Sequence, residues 1–136
     1  FIIFIAFVHT AQLIQTAVAI DVLEVPWNGR MIDVHYPSEN HQGPFRRSDD
    51  CETGFLKPTV GRNDTCYMFV LTNLTWSEAN VFCTTANGDG LLTIEDADDQ
   101  LVITGYISTT KGLRAERGRI STYYTSGHRL LDGQTW

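Results

Sequence analysis

The sequence predicts an α+β fold, and three stretches carry that expectation. Between Cys66 and Leu101 a short apolar strand, Cys66-Tyr67-Met68-Phe69, leads into a helical pattern with Cys83 near its end. A turn comes next, and then a second helix that opens on a cluster of acids. Downstream, Arg119-Ile-Ser-Thr-Tyr-Tyr-Thr125 alternates in polarity and is rich in β-formers. Upstream, Ile20 to Val25 and Met31 to Val34 are short β-prone runs on either side of the turn signal Asn28-Gly29.

With 136 residues, there is room for one domain plus accessory segments. Apolar residues make up 43% and aromatics 11%, enough to build a core. A net charge of −6 speaks against a nucleic-acid partner, which demands a basic footprint. The basic residues are scattered, and their one cluster, Lys111, Arg114, Arg117 and Arg119, reads as a solvated loop. Three cysteines are an odd number. In an exported chain that means a free thiol or a partner outside the sequence. Together with Phe1 in place of methionine, this leads to the expectation of a fragment.

Taken in order, residues 1–19 read as a partial secretory signal. Phe1 to Val8 is an unbroken apolar run, far short of the ~20 residues that span a bilayer. Gln12 and Gln15 interrupt the apolar character beyond it, and Ala17-Val18-Ala19 supplies a small-x-small cleavage site. The expectation is a secreted, extracellular chain starting near Ile20, with no membrane span after cleavage. Residues 20–50 read as a spacer: a strand over Ile20 to Val25 halted by Pro26, the Asn28-Gly29 turn, a second short run, then a polar exposed connection from Pro37 to Asp50. His35 and His41 lie six apart with no third ligand, too few donors for a metal site.

The first helix is legible from local chemistry. Thr75-Trp76-Ser77-Glu78 has the form of a capping box, in which the Thr75 hydroxyl accepts from the Glu78 amide and the Glu78 carboxylate reaches back. Apolar residues at Trp76, Ala79, Phe82, Cys83 and Ala86 form a helical stripe, and Asn87-Gly88 ends the helix by tolerating a left-handed backbone. Leu91 to Ile94 reads as a buried crossing segment. Glu95, Asp96, Asp98 and Asp99 then crowd the first turn of the second helix, where carboxylates favour the positive end of the dipole. A catalytic role for Cys83 would need a base held close, and His128 is the candidate.

This order of elements, with Tyr123-Tyr124-Thr125-Ser126-Gly127 downstream, resembles the long form of the C-type lectin-like domain over 51–136, incomplete at its C-terminus. In such domains an extra cysteine pair closes a hairpin at the N-terminal edge, and the match falls on Cys51 and Cys66. The resemblance assigns Cys83 a structural partner near the domain's end, beyond Trp136. It places Leu91 to Ile94 between the two helices and a core strand at Tyr124 to Gly127. Some members bind an auxiliary calcium near the start of the second helix, using an acid from a later strand; without that strand, complementing the helix dipole is the favoured role of the acids.

The resemblance implies a calcium-dependent, carbohydrate-binding lectin whose partners are glycans or glycoproteins, including microbial or cell-surface ones. The alternative is a non-sugar member of the family that binds protein. Neither the calcium ligands nor the sugar-binding positions of the long loop occur in these residues. No Ser/His/Asp set, His-Glu-x-x-His or glycine-rich phosphate loop is present, so no enzyme and no catalytic residue are expected. Two sequons, Asn63-Asp64-Thr65 and Asn73-Leu74-Thr75, offer N-glycosylation sites in an exported chain.

Overall fold

The computed structural model describes residues 21–61, 64–86, 88–114 and 123–126. The leader read over 1–19, the glycosylation candidate Asn63, and Arg117, Arg119 and His128 lie outside them. The described residues form an α+β structure of five short strands and two helices, and fall into two compact units, one ending at Leu71 and the other starting at Thr72.

The first unit is built on a hairpin. Strands β1 (Val22–Trp27) and β2 (Arg30–His35) pair antiparallel from Val22↔His35 to Trp27↔Arg30. Asn28 and Gly29 sit at φ 53° and 77°. Positive φ at both loop positions marks the mirror-image two-residue turn, whose twist matches that of the strands. Pro26 does not halt the strand as the sequence suggests. The closing pair of a two-residue hairpin is hydrogen-bonded, so the next pair, Pro26↔Met31, falls at a non-bonded site. There the missing N–H costs the ladder nothing, and among the described residues β1 is an edge strand, paired with β2 alone. The third strand, β5 (Phe69–Val70), pairs with β2 through Val34↔Val70 and His35↔Phe69.

A second, two-stranded sheet joins β3 (Phe45–Arg46) to β4 (Lys57–Pro58). The stretch read as an exposed spacer is therefore part of the folded body. Ile32 and Val34 are fully buried, and so are Pro37 and Phe45 inside the predicted polar connection. The Phe45 ring meets Phe69 at 5.2 Å and Tyr67 at 5.5 Å, both edge-to-face, which ties the two sheets together through aromatic contact. Sparse hydrophobicity hid this, because one large ring among polar residues has no period to read.

In the second unit, α1 (Trp76–Thr85) and α2 (Ala97–Thr109) bury Ala79 with Phe82, and Ile103 with Tyr106. The Thr75 capping box forms as expected, with Glu78 N–H donating to Thr75 Oγ1 at 3.2 Å and Thr75 N–H to Glu78 Oε2 at 2.8 Å. The end of α1 differs from expectation. Gly88 has no positive φ; its role is close approach, since a Cβ there would stand 2.4 Å from the Cys83 carbonyl oxygen. Asn87 is outside the described residues.

Helix α2 starts after Asp96, so Glu95 lies ahead of the first turn in which the sequence placed it. Asp96 is its N-cap, accepting from Asp99 N–H at 2.8 Å, and Asp98 and Asp99 occupy the first turn. Leu91, Leu92 and Ile94 are half-buried, less enclosed than predicted. Tyr123 to Thr125 has no strand assignment, so the expected core strand is absent from its described part. Gly105 lies mid-helix on the exposed side of α2, with open space where a Cβ would go. Gly105→Ala is therefore expected to stabilise the chain by about 1 kcal/mol, read as a higher urea midpoint.

Candidate functional site

Cys51 and Cys66 are joined in a disulfide, with Cα atoms 5.9 Å apart. The chain between them turns at Glu52 to Phe55 and returns so that Leu56 and Tyr67 exchange backbone hydrogen bonds of 2.7 and 2.8 Å. The cross-link thus closes a loop whose base is a β-bridge next to Cys66, with Leu56 fully buried beside it. On the outside, the Lys57 ammonium hydrogen-bonds the exposed Asp50 carboxylate next to Cys51, and this contact holds the Asp50 carboxyl below its ordinary range.

Cys83 is unpaired and half-buried on α1. Burial pushes its thiol above the ordinary value. A nucleophilic or metal-binding cysteine needs the opposite shift, toward thiolate. The base that could have activated it, His128, lies outside the described residues.

The acids at the head of α2 do not assemble into an ion site. One Asp96 oxygen is engaged by the Asp99 amide. Among the described residues no three His, Cys, Asp or Glu side chains converge as metal ligands. Calcium coordination needs six to eight oxygens at about 2.3–2.6 Å, and these acids do not fit that demand. His35 and His41 likewise belong to no such group.

The segment 123–126 draws the second unit together. Trp76 Nε1 donates to the Thr125 carbonyl at 3.0 Å, Ser126 N–H to Leu92 O at 2.8 Å, and Tyr123 Oη to Leu113 O at 2.7 Å. The hydroxyls of Thr93 and Ser126 lie 2.9 Å apart. The Tyr-Tyr-Thr-Ser stretch singled out in the sequence therefore links the start of α1, the crossing segment and the turn after α2, although it does so without strand geometry. The sequon residue Asn73 is exposed just ahead of α1.

Two features escaped the sequence reading. Arg47, inside the stretch read as a polar exposed connection, lays its guanidinium 3.9 Å over the Tyr36 ring and donates to the Tyr36 carbonyl at 3.2 Å. His35 is 2% exposed at the end of β2, edge-on to Phe69 at 6.4 Å. The pairing of β2 with β5 could have been suspected only if the apolar runs at Met31 and Phe69 had been aligned in register.

Burial lowers the His35 pKa; the Asp21 carboxylate opposes that shift and His41 adds to it. A histidine depressed in the folded state costs nothing above its unfolded value of 6.5, and below it the unfolded chain takes up the proton more readily. Stability is thus expected to fall as the pH drops through and below 6.5. His35→Leu should flatten this dependence in urea melts run between pH 7.5 and 5, and an unchanged slope would refute it.

No helix among the described residues is long and apolar enough to cross a membrane. Comparison of the chain with protein-family models, with curated proteins and with solved structures found no match.

Proposed function

We propose that the chain is part of a secreted carbohydrate-binding protein of the C-type lectin-like class. The observation that carries this reading is the Cys51–Cys66 disulfide, which falls on the pair the resemblance singles out and precedes two capped helices in the order the resemblance requires. A disulfide of this kind belongs to oxidising compartments, in keeping with export. The α+β composition and the tie of 123–126 to Trp76 and Leu92 are compatible with the same class. Calcium is implied by the resemblance alone. Asp96, Asp98 and Asp99 occupy the cap and first turn of α2, and no three His, Cys, Asp or Glu side chains converge among the described residues, so ligands for the ion are expected elsewhere on the resemblance alone.

The test is a glycan array probed with the secreted protein in calcium and again after chelation. Glycan binding that chelation abolishes is the expected result. Chelator-insensitive capture of a protein ligand, with no glycan bound, would favour the non-sugar member instead. Binding of neither would remove the proposal.

A further inference from the structure

We infer that Asn73 is an N-glycosylation site, occupied by a glycan that stands at the N-terminal entry to α1 without disturbing the helix cap. The inference rests on the export proposed above, because the reaction belongs to the secretory pathway.

The sequon Asn73-Leu74-Thr75 is one part of the argument; the local structure supplies the rest. Asn73 is exposed, and no hydrogen bond of its side chain is found among the described residues. Residues 73–75 have neither helix nor strand assignment, and Thr75 is extended at φ −69° and ψ 162°. The amide of Asn73 and the hydroxyl of Thr75 therefore lie on open chain rather than inside a ladder. Thr75 is itself exposed, and its cap uses the hydroxyl only as an acceptor, from Glu78 N–H. A hydroxyl has one O–H donor and two lone pairs, so the cap leaves the donor and one lone pair over. Cap and sequon thus share one residue without competing for the same atoms.

The chemistry needs a lipid-diphosphate-linked oligosaccharide as donor. Asn73 Nδ2 bonds to the anomeric carbon of the sugar, and the bond from that carbon to the diphosphate oxygen breaks. Its electron pair leaves on the lipid diphosphate, and one amide proton is lost to base. The product is a neutral amide-linked glycan, so the net charge of the chain is unchanged.

The experiment expresses residues 1–136 behind a supplied secretion leader in eukaryotic cells and reads glycans on cell-associated and secreted chains together, by endoglycosidase shift and intact mass. Reading both pools keeps the result informative for variants that fold poorly. Asn63→Gln is expected to retain a glycan, and Asn73→Gln to lose one relative to the parent. Thr75→Ser should keep it, and Thr75→Ala should lose it together with the cap. An unglycosylated Asn63→Gln chain, or an Asn73→Gln chain with the parent's glycan count, would overturn the inference. Because the leader is supplied, those outcomes leave export by the chain's own segment untouched.

Discussion

Phe45→Ala is expected to destabilise the chain by about 3–5 kcal/mol, the usual cost of deleting a buried phenylalanine side chain. Phe45 is 1% exposed and holds two edge-to-face contacts, to Tyr67 and Phe69, so truncation leaves a cavity at the junction of the two sheets. Backbone pairing of β3 with β4 holds the site in place, which limits how far it can collapse. Glu39→Ala, at an exposed position of the same segment, is the control and should change stability by no more than about 0.5 kcal/mol. Urea unfolding of the two variants decides the matter. Equal midpoints would mean that the segment around Phe45 is a solvated connection after all.

The second large effect belongs to the cross-link. Replacing both Cys51 and Cys66 with alanine should cost about 3 kcal/mol, the loop-closure value for a loop of about 15 residues. Removing both sulfurs avoids leaving a lone thiol. Dithiothreitol should lower the urea midpoint of the parent and leave that of the double variant unchanged. Cys83→Ala should keep the parent's sensitivity to reductant, because Cys83 takes no part in the bond. A double variant as stable as the parent would show that the loop is held by its β-bridge and the buried Leu56 alone.

The parts legible from sequence are those whose cause lies within a few residues. Thr75 and Glu78 form their capping box because both partners sit within one helical turn. Asn28-Gly29 makes its turn because those two residues tolerate positive φ where others are strained. The less local readings fared worse. Pro26 looked like a strand breaker, yet it lies inside β1, because register put its missing N–H where no hydrogen bond was needed. The acids at 95–99 looked like a uniform dipole cluster, whereas one of them, Asp96, is the cap from which α2 is counted.

What the sequence determined by itself was therefore the set of local elements: the tight turn at Asn28-Gly29, two helices with the capping box of the first, and an α+β composition. The tertiary structure alone decided that 21–50 belongs to the folded body, that Phe45 and His35 are buried, and that 123–126 serves as a hydrogen-bonded tie rather than a strand. The physical reason is one of range. A cap or a tight turn is stabilised by atoms already adjacent along the chain, whereas burial and register depend on partners tens of residues away, such as Phe69 against Phe45, that no local pattern announces.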